Sequence, residues 1–380
     1  MKILLISSYP NNHHNSRSIF VYRLMQSLAN LGCTIVVVSP ENWRDKNKEY
    51  VKQPGDQEYG YEAATVYRPK YFDFPNRIRI GKYSLGRFNT IPHKKAVYKT
   101  LKNLDFKPDI IYSHFLYRSG PAAIMAAKHF NVPAVVALGE SSMEKHESIF
   151  GKKNMRKLIN QFSGIISVSH KNKNYCVEEL CVPHDKIQVF PNTVNHEVFY
   201  PRDKFEMRKK YKLPHDKFIV AFTGHFIERK GPLRVLEAIN GLNDDIGAVF
   251  IGSGKQEPIG EKVLFKGKVT HKQVGELLSA SDVFVLPTTN EGSCNAVVEA
   301  MACGLPIVSS NIEAINEQVS QDNGILCHPE NITEIRKAIQ TLYTDKKLIE
   351  KKRIAALKTA KSSSLEIRAT GILNFLKKQI

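Results

Sequence analysis

No stretch of this chain approaches the roughly 18 consecutive apolar residues that would cross a bilayer as a helix, which excludes a spanning helix. Its six cysteines, Cys33, Cys176, Cys181, Cys294, Cys303 and Cys327, are scattered and form no Cys-x-x-Cys pair. That excludes the Cys-x-x-Cys metal and redox motifs, and in a chain of this size it points to reduced, mostly buried thiols of a cytosolic protein. The opening MKILLIS is one strand long and has neither a longer apolar region nor a cleavage site, so no signal peptide is expected. Internal repeats and low-complexity tracts are absent. No cluster of Asp or His suggests a metal, and Asn243-Asp244-Asp245 reads as a turn. Acidic residues are the scarce class: 37 Asp+Glu stand against 55 Lys+Arg, a formal charge of +18. Such a surplus predicts something anionic as partner, whether a phosphate-bearing ligand, an acidic membrane surface or nucleic acid, and charge alone does not choose among them.

The chain of 380 residues has room for two or three domains. Its most informative stretch is Asp282 to Ser309. Val283 to Leu286 is an apolar run too short for a helix and closed by Pro287, so it reads as a buried strand. A polar loop from Thr288 to Cys294 follows, then a helix over NAVVEAMACG, with Asn295 suited to its start and Gly304 to its end. Leu305 to Ser309 is a second short strand. This is a βαβ unit whose loop lies where such folds bind ligands. Glu291 and Glu299 put a carboxylate on either side of a helix start whose free amides and dipole attract anions. A phosphate could rest on the amides of Ser293, Cys294, Asn295 and Ala296, beside Gly292. Glu299 would then accept hydrogen bonds from a diol such as a ribose, and Glu291 would reach a sugar beyond the phosphate.

The remaining chain alternates strand and helix. Lys2 to Ser7, Thr34 to Ser39, Asp109 to Ser113, Ala134 to Leu138 and Ile165 to Val168 read as strands with helical segments between, which implies a parallel sheet covered on both faces. The opening βαβ lacks Gly-x-Gly-x-x-Gly; its first loop carries Asn15, Ser16 and Arg17, and His13 and His14 read as solvated. Residues just past strand ends face the crevice of such sheets. Those are Ser8 and Tyr9, His114, Gly139 to Ser141, and Ser169 and His170; His114 and Glu140 among them, with Ser16 of the first loop, are the candidates for the acceptor or sugar side. Residues 41–65 show neither period. The stretch 68–95 mixes basic and aromatic residues, suited to an anionic membrane surface or to single-stranded nucleic acid. In the second half, Phe218 to Thr223 is a strand ending at Gly224, and Arg229 and Lys230 stand just ahead of a helix with Leu233, Leu236 and Ile239. Basic groups at that junction suit a diphosphate.

The segment EGSCNAVVE, followed by AMACGLPIV, resembles the E-x7-E signature of glycosyltransferase family 4. FPNTVNHEVFYP resembles that family's Pro-Asn-Gly-Val-Asp crossover, with Thr193 and Asn195 in place of Gly and Asp. Where the family often has G-R-x4-K-G this chain has G-H-x4-K-G, keeping Lys230 and placing His225 at the arginine position; Leu138-Gly139 stands where His-Gly is common. The resemblance implies an α/β chain of GT-B architecture, two Rossmann-like domains facing an interdomain cleft. Residues 1–197 would form the acceptor-side domain and 198–363 the nucleotide-sugar domain, with a helix over 364–380 returning to the first. It implies transfer of a hexosyl or N-acetylhexosaminyl group from a nucleotide diphosphate sugar, with retention, to a saccharide or lipid-linked saccharide. Lys230, Glu291 and Arg229 would be the catalytic groups and Gly224 and Val269 further nucleotide-sugar contacts, the latter at the base. No metal or cofactor is expected, Arg and Lys serving in place of a cation. The chain would act in the cytoplasm, peripherally on the inner membrane face, rather than on nucleic acid. The alternatives are a non-catalytic nucleotide-sugar-binding protein and a GT-B nucleotide-sugar epimerase.

Overall fold

The computed structural model describes residues 1–10, 18–44, 64–74, 79–80, 83–140 and 143–380. The chain divides into unit 1, Met1–Pro191 with Glu366–Ile380, and unit 2, Asn192–Leu365. The division falls ahead of the expected residue 197 because the crossover segment is already bonded into unit 2. The Asn192 amide donates to Ser293 Oγ (3.2 Å) and its side chain to Ser293 O (3.1 Å). Two residues on, the Val194 amide donates to Ser363 O (3.1 Å).

Unit 1 is built on seven parallel strands: β1 (Lys2–Ile6), β2 (Thr34–Val38), β3 (Ala64–Tyr67), β4 (Ile110–His114), β5 (Ala134–Leu138), β6 (Gly164–Ser167) and β7 (Ile187–Val189). Their order is β7-β6-β5-β4-β1-β2-β3. The pleat sorts each strand between two cores. Ile3 and Leu5 join Leu24 and Met25 of the helix Ile19–Asn30, whereas Leu4 and Ile6 join Val97 and Leu101 of the helix Thr90–Leu101. Burial on both faces explains why the strands read as unbroken apolar runs. The helix Leu365–Lys377 packs Ile372 and Leu376 into the first of these cores. It approaches β6 closely enough that a Cβ on Gly164 would lie 2.8 Å from the Phe375 ring.

Unit 2 repeats the plan with β8 (Phe218–Thr223), β9 (Ile246–Ile251), β10 (Val263–Gly267), β11 (Val283–Leu286), β12 (Ile307–Ser310) and β13 (Gly324–Cys327), in the order β10-β9-β8-β11-β12-β13 and all parallel. Both units are Rossmann-like. In each the order reverses beside the first strand, between β1 and β4 in unit 1 and between β8 and β11 in unit 2. Loops leaving the carboxyl ends of strands at such a reversal diverge and open a crevice for ligand. Five of the six cysteines are buried and Cys181 is exposed; all six are free thiols.

Candidate active site

The unit 2 reversal brings together the loop after β8 and the loop after β11. The first passes through Gly224 and exposed His225 to Arg229 and Lys230; the second runs from Pro287 to Cys294. Close approach at this edge depends on glycine: a Cβ on Gly252, at the end of β9, would sit 1.9 Å from Gly224 O. The two loops are stitched together. The Thr289 amide donates to Arg229 O (2.9 Å), and the Arg229 guanidinium donates to Asn290 O. Buried Arg234 donates to Glu228 O (2.8 Å) and to Pro287 O (2.9 Å).

The stitching gathers charge on one atom. Glu291 Oε1 accepts from Lys230 Nζ (2.6 Å), Arg229 Nη1 (2.9 Å) and Thr288 Oγ1 (2.7 Å). Glu291 is 7% exposed, so this ion cluster is largely withdrawn from solvent. Two cations share one carboxylate, which leaves one positive charge uncompensated within the trio. Glu291 Oε2 accepts no hydrogen bond among the described residues. Cys294 records the surroundings: burial pushes its thiol up to about 11, the Lys230 charge opposes that, and the Glu291 and Glu299 carboxylates add to it. The charges of Lys230, Glu291 and Glu299 thus all act on one buried thiol.

The expected run of amides from Ser293 to Ala296 is broken at Cys294. The helix spans Asn295–Ala302 and Cys294, not Asn295, is its cap residue. The Cys294 amide donates to Gln318 Oε1 (2.9 Å) and is not open to a phosphate; those of Asn295 and Ala296 remain at the helix start. Gly292 is buried, and Ser293 is held by Asn192. Val269 is half-buried in the loop after β10 and packs against the unit 2 core.

In unit 1 a cavity of about 550 Å³ opens at the strand ends. Ser8 and Tyr9 follow β1, Phe115 to Ser119 follow β4, and Glu140 follows β5. Glu140 is 8% exposed, and burial pushes its carboxyl up to about 7, against the opposing pull of the Leu116 amide, which donates to its Oε1 (2.7 Å). His114 does not line this cavity. It is 1% exposed, packed among the rings of Phe20 and Phe115, and burial lowers it to about 3, so it is neutral at neutral pH. Ser16, with His13, His14, Asn15 and Arg17, lies outside the described residues. Among the described residues no group of three or more His, Cys, Asp or Glu could hold a metal ion, and no helix is long and apolar enough to cross a membrane.

A family model described as Glycosyltransferase Family 4 matches residues 18–198, and one described as Glycosyl transferases group 1 matches residues 203–359. The chain belongs to glycosyltransferase family 4. A Bacillus subtilis relative, named as a teichuronic acid biosynthesis glycosyltransferase, is 29% identical over 89% of this chain and 88% of its own length. The Escherichia coli UDP-Gal:alpha-D-GlcNAc-diphosphoundecaprenol alpha-1,3-galactosyltransferase is 28% identical over 67% of this chain and 70% of its own. In fold, sucrose-phosphate synthase from Thermosynechococcus elongatus superposes with a TM-score of 0.80 at 17% identity, covering 99% of this chain and 98% of that one. An Anabaena protein, HepE, solved with UDP, gives 0.78 at 18% identity with full coverage of both chains. The architecture is therefore GT-B and the chain is a glycosyltransferase.

For this family 4 glycosyltransferase, sequence reasoning missed Thr288, Arg234 and Gln318, which hold the E-x7-E loop, and Tyr71, Asp73, His93 and Arg118, which line the unit 1 cavity. Only Thr288 sits close enough in sequence to Glu291 for a local pattern to show it. Glu140 gives a stability test. Its folded-state value lies above its ordinary one, so between about pH 4.5 and about pH 7 the unfolded chain releases a proton that the native chain keeps. Stability is thus lost as pH rises through that window, on the order of 3 kcal/mol by pH 8. Glu140→Gln, which cannot ionise, should match the parent near pH 4 and exceed it at pH 8. Urea unfolding at several pH values measures this, and a gap that does not widen with pH would contradict the burial.

Proposed function

We propose that the enzyme moves a sugar from a nucleoside diphosphate donor held on unit 2 to a hydroxyl of a saccharide or lipid-linked saccharide held on unit 1. Transfer would proceed with retention, in synthesis of cell-surface polysaccharide or glycolipid. The observation that carries this reading is the convergence of Arg229 and Lys230 on one oxygen of Glu291 beside the start of the helix Asn295–Ala302. The surplus positive charge and the Asn295 and Ala296 amides suit a diphosphate, whose negative charge grows as the sugar departs. Glu291 Oε2 suits a donor-sugar hydroxyl, and the Glu299 carboxylate, an acceptor with two oxygens, suits the ribose diol. Uridine is the favoured base because the Escherichia coli relative is named for UDP-Gal and HepE was solved with UDP and with UDP-glucose. Retention rests on the family resemblance, and NMR of the product's anomeric centre tests it.

Isothermal titration with UDP, GDP and ADP is the direct test of the donor site. UDP should bind most tightly, and Glu299→Gln should raise its Kd about tenfold, the effect of weakening one charge-assisted hydrogen-bond pair. Because Glu299 is only half-buried on a helix surface, the variant should unfold like the parent. An unchanged Kd would remove Glu299 from the ribose. Release of UDP only when an acceptor is supplied separates transfer from mere binding or epimerisation.

A further inference from the structure

The unit 1 cavity has walls whose charge runs opposite to that of the chain. Among its lining residues Glu41, Asp73 and Glu140 face a single guanidinium, Arg118, and two imidazoles, His93 and His146, the latter with its Nε2 3.5 Å from Glu140 Oε1, in a protein of net charge +18. That guanidinium is already engaged: Arg118 donates to Asp73 Oδ2 (2.8 Å) and to the Tyr71 hydroxyl (2.6 Å). Glu41 is held from outside the cavity lining by Arg68 (3.1 Å) and by Lys70. His93 is 4% exposed, and burial, with the Arg118 charge beside it, lowers it to about 3, so it adds no positive charge. Among the described residues the lining therefore offers an anion no uncommitted guanidinium or ammonium group.

The cavity does hold carboxylate oxygens in want of donors. Glu140 Oε2 and Asp73 Oδ1 are buried and accept no hydrogen bond among the described residues, and Arg118 Nε is buried without an acceptor. A hydroxyl both donates and accepts, so it satisfies Glu140 whether that carboxyl is protonated or ionised, and it satisfies Asp73 as a donor. Rings of Tyr9, Tyr71, Phe115 and Tyr117 line the same walls and offer flat apolar surface to a pyranose C–H face. Apolar rings with a few convergent polar groups, in a space within the usual range of about 300–1,000 Å³, make up a small-molecule site. The backbone is strained there as well. Ser18 (φ 63), Phe115 (φ 67) and Arg118 (φ 63) are non-glycine residues in the left-handed region, and all three line the cavity. The last two bracket the loop that sets the Leu116 amide on Glu140 and the Arg118 guanidinium on Asp73, and strain of this kind concentrates at ligand-holding segments.

We propose that this cavity binds an uncharged, hydroxyl-rich saccharide portion of the acceptor, with Glu140 and Asp73 reading its hydroxyls and rejecting acidic or phosphorylated sugars. The proposal rests on the transferase reading above. Saturation-transfer NMR and titration on the full chain test it, using methyl glycosides of neutral hexoses and N-acetylhexosamines against methyl glucuronide and hexose 6-phosphates, with UDP titrated in the same samples. At least one neutral glycoside should bind, and every anionic one at least tenfold more weakly. Glu140→Ala should weaken the neutral glycoside at least tenfold, Glu140→Gln should restore most of that, and neither should change the Kd of UDP. Asp73→Asn frees the Arg118 charge, so the preference should move at least tenfold toward the anionic glycosides, a gain that misfolding cannot imitate. Anionic glycosides binding as tightly as neutral ones would overturn the proposal, as would UDP binding without any neutral glycoside, or an Asp73→Asn preference that does not move. Failure of UDP as well would take the donor reading down with it.

Discussion

Lys230→Ala should lower kcat about 10²-fold or more while changing the donor KM far less. The Lys230 side chain is 12% exposed and its ammonium lies 2.6 Å from Glu291 Oε1, at the reversal of the unit 2 sheet. In the resting enzyme that carboxylate offsets its charge. As the bond from sugar to diphosphate lengthens, negative charge grows on the leaving oxygens, and a preplaced ammonium in a water-poor site stabilises it without reorganising. The interaction strengthens toward the transition state, so its loss should fall mainly on kcat. Arg229 is the weaker candidate for the same work. Its side chain is 29% exposed and already donates to Asn290 O, so Arg229→Ala should also loosen the loop that carries Glu291. Steady-state kinetics with saturating acceptor makes the distinction, and near-normal kcat in Lys230→Ala would remove that residue from the chemistry. Thr288 and Arg229 still satisfy Glu291 in the variant, so its unfolding should resemble the parent's.

What the sequence made legible follows from the range over which each signal acts. Val283 to Leu286, the loop with Glu291 and the helix with Glu299 are contiguous, and their pattern survives in a short window. The core strands were equally plain because burial on both faces leaves them apolar throughout. Elements with a thin buried stripe were not. The helix Thr90–Leu101 buries only His93, Val97 and Leu101, and its first half lies in the stretch 68–95 that reads as a basic and aromatic excursion. The helix Lys346–Lys361 buries Lys352, Ala356 and Ala360, a stripe with the right spacing but almost no hydrophobic signature. Strand β3 follows a polar stretch and, among the described residues, pairs only with β2 at the edge of its sheet. The unit 1 cavity was invisible for another reason. Asp73 meets Arg118 across 45 positions, and Glu140 meets Leu116 across 24, with no local pattern to announce either contact.

The same blindness hid Asp282, whose substitution should have the largest effect on stability: Asp282→Ala should cost unit 2 about 3–5 kcal/mol. This residue stands immediately before β11, at the head of the stretch that carries the family signature, yet its partners are remote. Its Oδ2 accepts from the Ile219 amide (2.7 Å), in β8, and from Arg208 Nη2 (2.7 Å). Arg208 is 5% exposed. Its Nε donates to Ala280 O (2.9 Å), and its Nη1 to His215 O (2.9 Å) and Lys217 O (3.0 Å). One guanidinium thus ties the helix Lys204–Lys210 to the segment before β8 and the turn before β11, and Asp282 is its charged partner. Without the carboxylate, a buried cation loses its counter-charge and the Ile219 amide loses its acceptor. Lys204, about half exposed, adds little to the pair. Asp282→Asn keeps an oxygen for Ile219 and should lose less. UDP, if bound only by native unit 2, should recover part of the loss in proportion to RT ln(1 + [UDP]/Kd). Urea unfolding with and without UDP measures both effects. A loss under about 1 kcal/mol in Asp282→Ala would mean that the backbone carbonyls alone hold Arg208, and that β8 and β11, whose loops carry Lys230 and Glu291, keep their register without it.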